Sequence, residues 1–222
     1  MFGRKVAPVQ PKVTSNEIFV QMSEPVEITR KTRVTVPVGY RAYAFVNNKH
    51  ICRIDACNNK KLIKVCGREY LGQQLSIAFV LTRTISDIKW GFGGISVYNE
   101  EKNEEYDIGM RGTFSIEVND HIKLIESFTG SSEITKDQIR DSLLAKIKAK
   151  GNAVFSTYFV ENNVSAGGIN SLVTYELHKR LLSSINEIDG IRKMGVKVSS
   201  LLVEAIFIPE EDRERIRNMK NS

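Results

Sequence analysis

His50, Cys52, Cys57 and Cys66 share one short segment, and four ligands of this type could close a tetrahedral zinc site. Their spacing argues against it. If Asn58-Asn59 is a two-residue hairpin turn, Cys52 stands opposite Val65 and Ile51 opposite Cys66, which sends the two thiols to opposite faces of the hairpin. The expectation is free thiols and no metal. Trp90-Gly91-Phe92-Gly93-Gly94 is rich in glycine but lacks a Gly-Lys-Ser/Thr ending and a helix whose amides could cradle a phosphate. It reads as a turn or bulge. His50, His121 and His178 belong to different elements, and no serine or cysteine sits in a nucleophile motif. Glu100-Glu101 and Glu104-Glu105 read as a solvated polar connection rather than an acid/base pair. No catalytic residue, cofactor-binding residue or metal ligand is therefore assigned. An enzyme is not expected, nor a cofactor, nor a small-molecule substrate.

The elements around these residues follow from periodicity. Residues 1–16, with Pro8 and Pro11, read as an extended arm that does not pack tightly. Short β-type runs follow: Val34, Val36 and Val38 alternate, Tyr40–Val46 ends at Asn47-Asn48, and Ile51–Ile54 and Leu62–Val65 flank Asn58-Asn59 as a hairpin. Leu75–Leu81 is apolar on both parities, as in a strand covered on both faces, and Ile85–Trp90 continues extended. In Tyr106–Val118, Ile108, Met110, Phe114, Ile116 and Val118 share one face, opposite Arg111, Thr113, Ser115 and Glu117. After Asn119-Asp120 the period lengthens to that of a helix, first over His121–Phe128. A longer helix opens at Thr135, whose spacing from Gln138 fits a capping box, and carries Ile139, Leu143, Ile147, Val154 and Tyr158 on one face. Gly151 marks a possible bend, and Asn163–Gly168 breaks the helix. A second helix, about Asn170–Ile188, turns Leu177, Leu181, Ile185 and Ile188 inward, pairs Glu176 with Arg180, and is released at Gly190. Val196, Val198, Leu202, Ile206 and Ile208 keep one parity up to Pro209, which starts a final helix with acids first and bases later.

The chain has 222 residues, 41% of them apolar, enough for a core without disulfides. It holds no uncharged apolar run long enough to span a bilayer and no secretory-type opening, and its three cysteines are not a disulfide framework. A cytoplasmic protein is expected, peripheral at any membrane it meets. The net charge of +6 hides an asymmetry: residues 30–89 hold 12 bases and 3 acids, and residues 90–141 hold 5 bases and 11 acids. Such a pair of segments suits head-to-tail contact between copies of the chain, giving a closed ring or an open series. Arg30, Lys31, Arg33, Arg41, Lys49, Lys60, Lys61, Lys64 and Arg68, near Tyr40, Tyr43 and Phe45, also fit a nucleic-acid surface. No recognised binding signature accompanies them, and alternation makes the rings as suitable for a core. A nucleic-acid-binding or zinc-binding domain is the alternative reading.

Three stretches together resemble the SPFH superfamily (stomatin, prohibitin, flotillin, HflK/C; the band-7 domain), in particular its virion-core-protein-like branch. They are Val34-Thr35-Val36-Pro37-Val38-Gly39-Tyr40-Arg41-Ala42; Ile88-Lys89-Trp90-Gly91 with Gly109-Met110-Arg111-Gly112-Thr113-Phe114-Ser115-Ile116 and Asn119-Asp120; and Met194-Gly195-Val196-Lys197-Val198 with Ile206-Phe207-Ile208-Pro209-Glu210-Glu211. The resemblance spans about residues 20–217. It implies an α+β domain, mostly antiparallel sheet packed against helices, over residues 17–208, with residues 209–222 as the start of a short C-terminal helix. It also implies a non-enzymatic scaffold that self-associates and binds a membrane-associated or phage-like assembly partner, or an anionic membrane surface. The chain shows no membrane anchor at its start and no long coiled coil after Pro209, so recruitment at the periphery is expected.

Overall fold

A computed structural model of the chain describes residues 7–99, 104–128, 130–162, 168–169 and 172–220. The architecture is α+β, with antiparallel sheets, helices and a short C-terminal helix. The chain divides into two compact units, one from the residues up to Thr84 with Val118–Ile139, the other from Ile85–Glu117 with the chain from Arg140 onward.

In the first unit, β1 (Ile18–Met22), β2 (Val26–Glu27), β4 (Tyr40–Val46), β5 (Lys49–Ile54), β7 (Gln74–Leu81) and β10 (Glu133–Thr135) build one sheet. Its order is β10-β1-β7-β4-β5, with β2 also paired to β7. β7 has antiparallel neighbours along both edges, and Leu75 and Ile77–Leu81 are all buried, as in a strand covered on both faces. Asn47 and Asn48, with φ of 49° and 61°, make the two-residue turn from β4 to β5, where Val46 pairs with Lys49. The arm is less free than its composition suggests: Val9 bridges Val34, and the N–H groups of Lys12 and Val13 donate to the buried carboxamide of Gln21. Proline-rich backbone can still be held where neighbours accept its remaining N–H groups.

The hairpin expected around Asn58-Asn59 does not form. β6 (Cys57–Lys61) pairs instead with β3 (Arg33–Val36) in a separate two-stranded sheet, and Leu62–Cys66 is a helix, α1. Asn59 does take a positive φ, 51°, but within β6, where its N–H donates to Thr35 Oγ1. A stretch as short as Leu62–Val65 cannot be told from a helical turn by periodicity, and here β3 supplies β6 with a partner from farther back in the chain.

In the second unit, β8 (Ile85–Asn99), β9 (Glu104–Val118) and β11 (Val196–Phe207) form a sheet ordered β11-β9-β8. The register of β8 against β9 shifts between Phe92 and Ile95, and Gly94 has a φ of 72°, so the glycine-rich segment is a bulge inside a long strand. Glu104 and Glu105 belong to β9, paired with Asn99 and Tyr98, rather than to a loop; Glu100 and Glu101 lie outside the described residues. Ile108, Met110, Phe114 and Ile116 are buried on one face, as alternation requires. In β11 the expected single parity fails: Val196 and Val198 are buried, then Leu201 and Val203, then Ile206 and Ile208, while Leu202 is exposed. Ser199-Ser200 and Glu204-Ala205 each put two residues where alternation allows one, and each extra residue moves the inward set to the other parity.

Helix α2 (His121–Ser127) is capped by Asp120, whose carboxylate accepts the N–H of Lys123. The capping box of α3 (Lys136–Asn162) forms as spaced: Thr135 N–H donates to Gln138 Oε1 at 2.8 Å, and Gln138 N–H to Thr135 Oγ1 at 3.2 Å. Residues 163–167 of the expected break lie outside the described residues. Helix α4 spans Tyr175–Asn186 with Leu177, Leu181 and Ile185 buried; Gly190 falls inside a further short helix, α5 (Asp189–Lys193), rather than ending one. Gly190 lies against the Lys146 stem, where a Cβ would come within 2.7 Å of Lys146 Cε. Pro209 precedes α6 (Glu210–Lys220), whose Arg213 N–H donates back to the Pro209 carbonyl.

Candidate functional site

Four cations converge in the first unit. Arg30, Lys61, Lys64 and Arg68, with Ile63 and Leu71, line an open pocket of about 540 Å³. Each comes from a different local device. Arg30 sits on a turn locked by two threonines: buried Thr32 donates through Oγ1 to the Glu27 carbonyl and accepts the N–H of Thr29. Lys61 ends β6, and the N–H of Leu62 donates to the Thr32 carbonyl, joining α1 to that turn. Arg68 lies in a single 3-10 turn, Arg68–Tyr70, closed by the Leu71 N–H on the Arg68 carbonyl and tied back by the Gly72 N–H on the Ile28 carbonyl. Among the described residues none of these four cations is ion-paired, whereas Asp55, one of the three acids between residues 30 and 89, is engaged by Arg41 at 3.1 Å and Arg53 at 3.5 Å. The pocket lining therefore carries four cations and two apolar side chains and, among the described residues, no carboxylate, an arrangement that attracts anions.

The other basic residues do not join it. Arg33 donates to the Asn59 carbonyl, and Lys31, Lys49 and Lys60 are exposed outside the lining. Tyr40 and Tyr43 are buried, and the Tyr40 hydroxyl donates to the Ser15 carbonyl. Two of the three rings offered for base stacking are therefore core, and the third, Phe45, is half-buried and packs on His50.

The four residues weighed as zinc ligands are redistributed. Cys52 on β5 and Cys66 at the end of α1, expected on opposite faces, meet with their sulfurs 2.7 Å apart, because Leu62–Cys66 coils back over β5 instead of pairing with it. Cys57 lies 4.0 Å from the Val34 carbonyl, and His50 packs against the rings of Tyr43 and Phe45. No group of three or more His, Cys, Asp or Glu side chains suited to a metal occurs among the described residues. The thiol pair polarises itself: hydrogen bonding with Cys66 holds the Cys52 thiol below its ordinary range, and the same bond together with burial pushes Cys66 up.

The histidines meet aromatic rings or backbone. His121 stacks on Tyr43 with centroids 5.4 Å apart, and burial, aided by the Arg41 charge, lowers its pKa. His178 contacts the Val203 carbonyl through Nε2 at 3.3 Å. Trp90 stacks near Phe92, and Gly91 accompanies them in the sheet.

Sequence reasoning missed the polar stitches of the second unit. Asn186 donates from Nδ2 to the Val198 carbonyl at 2.8 Å and accepts Val198 N–H at 3.0 Å, fastening α4 to β11 as a strand would. Arg180 pairs with Glu176 as spaced, but also with Glu161 of α3, and its guanidinium lies over the Tyr158 ring. Asp212 accepts the N–H of Asp107, fastening α6 to β9. Only the i,i+4 pair carries a local spacing signal.

The fold is thus α+β, with an open basic pocket in its first unit and helices fastened to strands by polar side chains in its second. The family comparison specifies it: the model of the SPFH domain-Band 7 family matches residues 73–221, and the chain belongs to that family. The family is one of scaffold-like, non-catalytic modules. No curated protein matches the chain. Among the described residues no helix is long and apolar enough to cross a membrane.

Proposed function

We propose that this chain is a non-enzymatic scaffold that self-associates and is recruited, from the cytoplasm, to an anionic membrane surface or a membrane-associated assembly partner, as in the virion-core-protein-like branch of its family. The carrying observation is the pocket of Arg30, Lys61, Lys64 and Arg68, which has no ion-paired carboxylate among the described residues. Keeping four like charges on one concavity raises the energy of the isolated fold, and an anionic partner relieves that cost. Residues 17–208 act as the docking domain, residues 1–16 as its arm, and residues 209–222 as the beginning of the C-terminal helix. Self-association is supported by the acid-rich segment 90–141, which gives the basic segment of another copy a complementary surface.

Two measurements test this. In flotation with vesicles, the protein should rise with phosphatidylserine-containing membranes and not with phosphatidylcholine alone, and K61E/K64E should lose that binding. In sizing, the apparent mass should be larger at low salt than at high salt. A chain that stays monomeric at high concentration in low salt, and ignores anionic vesicles, removes the proposal. Tighter binding to single-stranded oligonucleotide than to vesicles would redirect it to nucleic acid.

A further inference from the structure

We propose that Cys52 and Cys66 form a thiol–disulfide pair, closed by low-molecular-weight disulfide oxidants, that staples α1 to the edge of the main sheet. The geometry carries this. Cys52 is half-exposed on β5, which pairs with β4, and Cys66 is buried at the end of α1, with the two sulfurs 2.7 Å apart. That separation is within about 0.7 Å of the bond itself, which is about 2.05 Å long. Two thiols without further ligands do not complete a zinc site, which takes four. Oxidation needs only the two.

Exposure and polarisation assign the roles. The more accessible Cys52, held toward thiolate by its neighbour, attacks a sulfur of the oxidant RSSR, forming a mixed disulfide and expelling RS⁻. Cys66 then gives up its proton, which the departing thiolate can take, and attacks Cys52 Sγ. The second RS⁻ leaves and is protonated by solvent. The two protein thiols are oxidised by two electrons and RSSR is reduced to two RSH. Cys57, beside the Val34 carbonyl, stands outside the exchange.

The staple has a defined reach. The loop it closes contains β6 and α1, so Lys61 and Lys64 of the basic pocket lie inside it. β6, which runs directly into α1, belongs to the small β3–β6 sheet, so the bond would tie the helix that follows that sheet to β5 at the edge of the main one. Local opening of residues 57–66 is then opposed by loop closure.

The test uses the full-length wild-type chain, reduced, desalted and incubated folded with oxidised glutathione. Remaining thiols are alkylated, and non-reducing peptide mapping is read by mass spectrometry. The expected product lacks two hydrogens, links the Cys52 peptide to the Cys66 peptide, and carries alkyl on Cys57. C57S should give the same link, and amide exchange over residues 57–66 should slow at least about tenfold on oxidation. A link through Cys57 would overturn the proposal. So would a Cys52–glutathione adduct that persists with Cys66 still alkylatable. Both are read on wild-type protein, so neither depends on a variant that folds.

Discussion

Gly112→Ala is the sharpest test of how β11 sits on β9. A Cβ at Gly112 would fall 1.9 Å from the Leu202 carbonyl oxygen, 2.9 Å from the Leu202 carbonyl carbon and 3.1 Å from Trp90 Cζ2. Ordinary contact begins near 3.4 Å, so β11 would have to retreat by about 1.5 Å at that point. The obstacle is backbone, which cannot rotate aside. Overpacking of this kind costs ~1–3 kcal/mol, and a retreat of that size breaks one or two ladder hydrogen bonds at ~1 kcal/mol each, so the loss should be about 3 kcal/mol or more. With a urea dependence of ~1.5–3 kcal/mol per molar, the unfolding midpoint should fall by about 1–2 M. Two neighbouring glycines calibrate the measurement. At Gly91 the nearest atom to a new Cβ is the Met110 carbonyl oxygen at 3.5 Å, an ordinary contact, and Gly91→Ala should lie within about 1 kcal/mol of wild type. At Gly109 the clash is with the ring of Phe207, at 2.4 Å, but that ring is 38% exposed and can swing into solvent, so Gly109→Ala should fall between the other two. The assay is equilibrium urea unfolding followed by circular dichroism and Trp90 fluorescence. A Gly112→Ala protein within about 0.5 kcal/mol (roughly a twofold change in the folding equilibrium constant) of Gly91→Ala would refute the placement of β11.

Other outcomes follow from single side chains. Asn186→Leu should cost ~2–3 kcal/mol in the same assay, since it leaves both backbone groups of buried Val198 without a partner; no loss would mean that α4 is not fastened there. Thr174→Ala removes the cap of α4, where Oγ1 accepts Leu177 N–H, and also the partner of the Tyr158 hydroxyl at 2.7 Å. The expected cost is ~1–2 kcal/mol, largely restored by Ser and measured by thermal or urea unfolding. His121 titrates lower in the folded chain than its ordinary 6.5, mainly through burial, so the unfolded chain binds the proton first as pH falls. Its contribution is complete above about pH 6.5 and is lost as pH drops through the depressed folded value. The slope of stability against pH over that interval should flatten in His121→Gln, and an unchanged slope would show that His121 does not carry it.

Much of this protein was readable one element at a time, because the physics involved is local. Thr135 and Gln138 are three residues apart and close the capping box whatever surrounds them. Asn47-Asn48 tolerate positive φ by their own chemistry. Alternation in Ile108–Ile116 needs only one dry face. The family resemblance, too, rested on turns and packing residues that keep their order along the chain, and it reached the family to which the chain belongs.

Choices between equally compatible partners were another matter. Leu62–Val65 was short enough for strand or helix, and β3, far back in the sequence, claimed β6 and left those residues to coil. That one choice reversed the reading of the cysteines, bringing Cys52 and Cys66 together, and gathered Lys61 and Lys64 with Arg30 and Arg68. Likewise one extra residue in β11, at Ser199-Ser200, exposed Leu202 and buried Leu201, a shift that alternation cannot reveal because both residues are leucine. Composition and short-range spacing determined the elements, the excess of basic residues and the absence of a familiar nucleophile motif. Which thiols meet, and which cations share a pocket, was decided by the tertiary structure, because contacts between segments distant in sequence depend on strand pairing that no local pattern encodes.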